Sequence, residues 1–545
     1  MPQTSSSAPR LARSRRLTAV GVAAFVALTS AACGGGEPQA AEETGDREYA
    51  EGGTLTMAIN QDPGALDPQL SALSATRAAA RFAYDTLLYT DEDGELVSGL
   101  AEDWTTSPTE VVYTLREDIT CADETPLTAT DVAENFTFVS DPENASPLIG
   151  VSAPAGLTAT ADDAARTVTL TMPEPTPFLL ETTASLLIVC AAGNEDRTSL
   201  TSQTQGTGPY VLTESVENDH YTFTKREDYT WGPGGATNDE PGTPDEVVLR
   251  VIANPSTAIN LLLGGEVQLA AAGDAEARRA EEAGLEGQGI AAPLGELWFN
   301  QAEGHPGADE EVRVALVGVL DEETIGSVLA GGTGAPAEGL LTIEPRVCEG
   351  NTVEGNLPQL SVEEAEELLE SAGWTPGADG VRTKGDQPLA LTFVAPASLG
   401  ENAVPATELL AKTWEELGAT VEISSTTDTA LQTALFETGD WDAGFIPLTV
   451  TLPTQYAGFV SGPTPPEGAN FSHIDNPEYV AKAAEATALV GDEACDAFEA
   501  AEEELIRAAD VSPLVNKLRM TYANGAEFRV GGDGLVVQSL RLLGQ

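Results

Sequence analysis

The sequence predicts an α/β fold divided into two or three lobes, and three observations lead there. At 545 residues the chain is longer than one hydrophobic core ordinarily serves. Its 41% hydrophobic and 21% charged residues are the balance of a globular chain, not a disordered one. Segments of strand period also alternate with segments of helical period along the whole length. The clearest such unit is residues 113–132, YTLREDITCADETPLTATDV. Its aromatic and β-branched start favours a strand. Asp123 and Glu124 make an acidic turn, Pro126 follows, and Thr128 can cap a helix whose positive end lies near Asp131.

Charge narrows the possible partners. There are 87 acidic and 26 basic side chains, a formal charge of −61, spread along the whole length. Nucleic acid is not an expected partner, because phosphate binding needs clustered cations. Lysine is scarce, and the acidity reads chiefly as a solvated surface. Arg10, Arg13, Arg15 and Arg16 precede an apolar run over 17–32 that suits a signal-peptide core. Ser30, Ala31 and Ala32 then lead into Cys33, in the manner of a bacterial lipobox. Residues 1–32 are thus expected to be a lipoprotein signal peptide, with Cys33 lipidated after cleavage. Losing four arginines and no acids would take the charge from −61 to −65. Residues 33–52, rich in Gly, Ala, Glu and Pro, read as a flexible tether.

The folded body begins near Gly53, where Leu55, Met57 and Ile59 alternate as in a strand that ends at Asp62-Pro63-Gly64. Residues 81–89 read as a helix. The acidic turn at 91–94 lacks the twelve-residue ligand pattern of a calcium loop. Residues 167–172 alternate as a strand, and an apolar run over 178–189 leads to Cys190. In 205–210, QGTGPY, two glycines and a proline permit a sharp reversal. That run has neither the lysine nor the spacing of a phosphate-binding loop. A buried strand over 246–253 and a helix over 256–263 follow. The helix over 361–372 has Ser361 as its cap, Glu364 at the capping-box position and Gly373 as its stop. Leu409, Leu410, Trp414 and Leu417 share one face of an amphipathic helix over 406–417, before a strand over 420–423. Residues 511–543 mix strand-like runs.

Catalytic signals are weak. The three histidines, His220, His305 and His473, are scattered, no G-x-S-x-G elbow is present, and no carboxylate pair is singled out by spacing. Neither an enzyme, a cofactor nor a metal site is expected. After Cys33, four cysteines remain: Cys121, Cys190, Cys348 and Cys495. In an exported chain they point to two disulfides, of three possible pairings, and the absence of a C-x-x-C pair disfavours zinc.

Several blocks resemble, in order, the large solute-binding proteins of peptide-type ABC importers, extracellular solute-binding family 5. Tyr113, Leu115, Arg116, Asp123, Pro126, Ala129, Asp131 and Val132 follow that family's signature, with Glu124 in place of the usual turn glycine. Leu66-Asp67-Pro68, Leu100-Ala101 with Trp104, Asp141-Pro142 with Ala145-Ser146-Pro147, Gly206-Thr207-Gly208-Pro209-Tyr210, Leu297-Trp298-Phe299-Asn300 and Asn476-Pro477 continue the match. The resemblance implies a two-lobe periplasmic-binding-protein fold of the large class, with an extra α/β lobe inserted and a ligand cleft between lobes. It divides the body into lobe I (53–78, 202–293 and 508–545), an extra lobe (79–201) and lobe II (294–507). With these lobes, Cys121 with Cys190 and Cys348 with Cys495 is the favoured pairing, since each pair then falls within one lobe.

The family likeness also implies a function. The expected protein is a lipid-anchored, monomeric, extracytoplasmic binding component that captures a small solute, chiefly peptide, and passes it to membrane permease subunits. Asp62, Pro63, Leu148, Trp298 and Asn300 are the expected cleft residues. Peptide-binding relatives carry an arginine, a tryptophan and an aspartate after a Gly-Asp-Tyr-Asp turn. Here the turn is Gly439-Asp440-Trp441-Asp442, and those positions hold Phe445, Leu448 and Thr451. The change leaves a non-peptide solute, such as a glycan or metal chelate, as the alternative. A secreted hydrolase or a surface receptor without a transporter is less favoured.

Overall fold

Two long strands, Glu286–Phe299 and Val511–Ala523, carry the main sheet. They run antiparallel from the pair Glu286↔Ala523 to the pair Trp298↔Val511, and their register shifts between Pro293 and Glu296. The proline lacks an amide hydrogen and Gly295 lies close against Val515, so a regular ladder is interrupted there. The computed structural model describes residues 48–544 apart from 72, 92, 93 and 533. The expected leader, Cys33 and most of the tether lie outside the described residues.

Each long strand supports a different half of the sheet. Leu269–Ala272 pairs with the end of Val511–Ala523, and Thr54–Ile59, Glu246–Val251, His220–Lys225 and Tyr210–Val216 follow outward. At the other end, Ala443–Phe445 pairs with Leu297 to Phe299, and Ala390–Pro396 and Thr420–Thr426 complete that edge. Each half has its own apolar interior. Leu55, Phe82, Phe223 and Leu249 belong to the first, and Leu316, Phe393, Trp414 and Phe445 to the second. A separate four-stranded antiparallel sheet, in the order Ala101–Ser107, Glu110–Leu115, Thr167–Thr171 and Thr158–Asp162, packs on helix Ala129–Ser140.

Local chemistry explains the element ends. Thr128 accepts from the amide of Asp131, and Asp131 returns the bond to the amide of Thr128, closing a capping box. Ser361 and Glu364 do the same for helix Val362–Ser371. Glu124 has φ 66°, the left-handed region in which a glycine is least strained. The aliphatic face of helix Ala403–Glu416 is buried, and the Trp414 indole donates to the carbonyl of Leu316 at 2.8 Å. Disulfides join Cys121 to Cys190 and Cys348 to Cys495, at 2.05 and 2.03 Å.

One element differs from the sequence reading. The helix expected over 81–89 is displaced to Ser74–Ala80, and the segment after it is a set of turns ending in the strand Leu88–Thr90. The cause is tertiary: the carbonyls of Phe82 and Ala83 accept from Tyr210 and Gly208, and those of Thr86 and Leu87 from Leu100 and Ala101. A side chain on Gly206 or Gly208 would meet the backbone of Ala83 within 2.4 Å. These glycines therefore serve close approach, more than the chain reversal that composition suggests. Asp85, at the centre of this segment, is fully buried and accepts from Tyr89 Oη (2.7 Å), Tyr229 Oη (2.8 Å), Thr207 Oγ1 (2.9 Å) and Trp231 Nε1 (3.1 Å). Burial pushes its carboxyl up from the usual range, while the four donors oppose that rise.

Asp85→Ala would take the acceptor from the Tyr89, Tyr229 and Thr207 hydroxyls and leave the Trp231 indole with the Thr207 carbonyl alone, and is expected to cost roughly 3–5 kcal/mol of folding stability. Asp85→Asn, which keeps one acceptor oxygen, should recover part of that loss. Urea unfolding of the three proteins decides it, and an alanine variant as stable as the parent would show that Asp85 does not hold this junction.

Candidate functional site

The segment that follows strand Ala443–Phe445 builds part of one wall of a large cavity. Glu296, on the long strand just past the register shift, is 2% exposed. Its carbonyl accepts from the amide of Ile446 at 2.9 Å and its Oε2 from the amide of Leu448 at 2.8 Å. Burial pushes its carboxyl up to about 8. The chain that Glu296 fixes then runs through Thr449 to Gln455. The amide of Thr451 donates to Gln455 Oε1 at 2.8 Å, opening helix Pro453–Val460.

Helix Gly491–Arg507 supplies the rest of that wall. Its Glu502 is buried, and accepts from Tyr456 Oη (2.8 Å), the amide of Leu340 (2.9 Å) and Thr352 Oγ1 (2.5 Å). Glu499 accepts from the amide of Gly350 at 2.6 Å, and the Cys348–Cys495 disulfide joins the same loop to the same helix. Asp492, Asp496 and Glu499, spaced four and three apart, fall on one helical face and line the cavity.

The opposing walls come from Arg77 to Trp104, from Val151, Ser152, Phe178, Glu181 and Ser185 of the small layer, and from the glycine-rich turn around Gly531 and Gly534. They enclose about 1260 Å³. Arg346 in this wall is held by Glu338 at 2.7 Å and Glu344 at 3.1 Å. Burial pushes the Glu181 carboxyl up. The lining is mixed: apolar surface from Phe178, Leu452 and Val536, with polar groups of both signs among it.

Of the residues expected to meet ligand, Thr451 alone lines this cavity. Phe445 is fully buried, with its ring edge against Phe393 at 5.1 Å, and Trp298 is fully buried with its ring 5.1 Å from Phe471. Leu448 packs, partly buried, against the interior beneath the wall. Leu148 lies in the interior of the small layer, three residues from Val151. Asp62 bonds Tyr221 Oη at 2.9 Å at the far edge of the first half of the sheet, and the carbonyl of the buried Pro63 accepts from Thr76 at 2.5 Å. Asn300 lies in a second, smaller groove of about 680 Å³ with His305, Asp442 and His473, where it donates to the carbonyl of Trp441 at 3.0 Å. His305 Nδ1 there faces Asp442 Oδ1 at 2.8 Å, so the pair holds the turn in place.

Phe178, Glu181, Arg346, Gln455 and Glu499 are lining residues that the sequence reading did not single out. The cysteine pairing carried a signal for two of them, because joining Cys348 to Cys495 brings Arg346 and Glu499 onto one wall. Among the described residues, no group of three or more His, Cys, Asp and Glu is placed to hold a metal ion.

Comparison with known proteins gives this geometry a context. The family model for bacterial extracellular solute-binding proteins, family 5, middle region, matches residues 95–465. The periplasmic murein peptide-binding protein MppA of Escherichia coli K12 is 26% identical over 520 residues, covering 89% of this chain and 91% of that protein. A structure of MppA in its unliganded open form superposes with a TM-score of 0.73 at 22% identity, covering 92% of this chain and 99% of that one. A substrate-binding protein of Microbacterium hydrocarbonoxydans, solved with 4-hydroxybenzoate hydrazide, gives a TM-score of 0.67 at 25% identity, covering 90% and 99% of the two chains. The fold is therefore the two-lobe α/β architecture of periplasmic binding proteins.

The buried Glu296 makes stability depend on pH. An unfolded glutamate releases its proton near pH 4.5, whereas the folded chain keeps this one up to about pH 8. The folded state binds more protons between those values, so its contribution is complete below pH 4.5 and is lost as pH rises towards 8. Glu296→Gln should flatten that decline and be more stable than the parent at pH 8 by on the order of 2–4 kcal/mol. Urea titrations of both proteins at pH 5 and pH 8 test it; parallel declines would mean that Glu296 is charged throughout.

Proposed function

The chain belongs to the bacterial extracellular solute-binding proteins of family 5, and from that premise we propose that it is the peptide-capturing component of an ABC importer. One observation carries this reading: a cavity of about 1260 Å³ lined by segments drawn from residues 77–104, 151–187, 343–350, 449–455, 491–499 and 531–538, far apart along the chain. That exceeds the space a single drug-sized molecule fills and suits a short peptide. The mixed lining supplies apolar area for side chains and polar groups for a peptide backbone. MppA, whose name states a murein peptide ligand, covers nearly the whole length, which supports the same class.

In this reading two lobes close on the solute by bending at the register shift of the two long strands. The moving parts are lobe I (53–78, 202–293 and 508–545) with its extra lobe (79–201), and lobe II (294–507). The unliganded open form of MppA supports such a motion for the fold. Binding then works by differential affinity for the closed arrangement, and a micromolar ligand would release roughly −8 kcal/mol net of closure. Lipid on Cys33 would keep the loaded protein at the outer face of the cytoplasmic membrane, beside its permease. Family members are solute-binding proteins, and no catalytic step is assigned.

A second reading has its own support. Thr451 carries no charge and spends its amide on Gln455, so the wall offers no carboxylate at that place to a free α-amino group. A peptide bound there would forgo a charge-assisted bond worth roughly 1.5–3 kcal/mol. A solute without that group, as in the hydrazide complex of the Microbacterium protein, fits the same wall.

Native mass spectrometry of the protein purified without refolding separates the two readings. A ladder of peptide masses released on denaturation is the expected result, and a single non-peptide mass would replace it. Anchoring is tested separately: Cys33→Ser should move the protein from the membrane fraction to the medium or periplasm, and an unchanged distribution would remove the lipid from the account.

A further inference from the structure

Phe178 is a side chain of the small layer that lies in the interior of the opposite lobe. It is 1% exposed, and its apolar neighbours form a cluster with Leu340, Leu341, Tyr456 and Phe498, all contributed by the second half of the chain. Its ring centroid is 5.7 Å from that of Phe498, on the helix that also carries Asp492 and Glu499 to the cavity. The same ring lines the cavity edge. Among the described residues, no other residue of the small layer belongs to that cluster.

The backbone at this position is also unusual. Phe178 has φ 56° and ψ 31°, the left-handed region, immediately before helix Leu179–Ala184. A bulky residue is rarely found there, and such a conformation persists only where its surroundings over-determine it. Burial of the ring in the facing lobe is the compensating interaction.

We propose that Phe178 is the latch of the cleft: a positioning residue of the extra lobe whose ring seats against Phe498 and holds the two sides of the cavity together. This rests on the lobe-closure reading above and deepens it, because part of the closing free energy then comes from the protein and not from the solute. Removing the ring should make the closed arrangement a minor one. Affinity falls in proportion to the population of the competent state.

The test uses small-angle X-ray scattering on the purified protein and its Phe178→Ala, Phe178→Leu and Phe498→Ala variants. Binding of peptides from a tryptic casein digest is read in parallel by mass spectrometry. Phe178→Ala and Phe498→Ala should each enlarge the radius of gyration and weaken peptide binding at least about tenfold, while Phe178→Leu restores most of both. Either alanine variant alone suffices should the other fail to fold. Alanine variants that melt earlier yet keep the parent's radius and peptide affinity would overturn the latch and leave Phe178 as ordinary packing. If the parent binds no casein peptide, the peptide reading falls. The latch is then decided by the radius alone: an increase in either alanine variant supports it, and none refutes it.

Discussion

Everything in this molecule hangs on the pairing of Glu286–Phe299 with Val511–Ala523. Antiparallel strands of this length would ordinarily weld two halves of a sheet into one plate. Here the ladder shifts register between Pro293 and Glu296, where a missing amide hydrogen and a tight glycine interrupt it, and pairing resumes on either side. Each half keeps its own apolar interior. Glu296 sits at this junction and fixes the start of the cavity wall through Ile446 and Leu448. The shifted part of the ladder is thus bonded, through Glu296, to the residue just before Thr449 of the cavity lining.

The cavity itself is assembled from parts that are far apart in the chain, and covalent and polar ties set its shape. The Cys348–Cys495 disulfide, Glu499 and Glu502 all bind one loop to one helix. In an acidic chain such ties need few cations: Glu502 and Glu499 are satisfied by hydroxyls and amides, and Asp85 by four neutral donors. This is how a protein with 87 acidic and 26 basic side chains keeps carboxylates inside.

Much of the fold was legible in local chemistry. Thr128 and Ser361 cap the helices their spacing predicts, and Leu409 to Leu417 falls on a helix whose Trp414 is core. Position 124 adopts the conformation that the family's glycine would take without strain, although the residue is glutamate. The helix expected over 81–89 does not form because periodicity does not reveal that its carbonyls are claimed by Leu100 and Ala101 on one side and by Gly208 and Tyr210 on the other. The site was far less legible. Trp298, expected beside the cleft, and Phe445, which occupies one of the family's anchor positions, are both interior because the sheet is covered on its two faces, by different apolar clusters. Phe178 and Glu181 reach the cavity only through tertiary packing, which leaves no mark in spacing.

The order of strands in the sheet also bears on how the chain is completed. Thr54–Ile59 lies between Glu246–Val251 and Leu269–Ala272, and the last long strand closes both halves at once. Neither lobe owns its full set of partners until residue 523 has been synthesised, and such distant pairings form late because loop closure must be met first. A ribosome that stops short therefore releases no half-protein with a usable pocket. Completion is written into the topology: a chain ended before Val511 would leave Leu269–Ala272 and Glu286–Phe299 without the partner strand they share, an open sheet edge of the kind that invites wrong pairing.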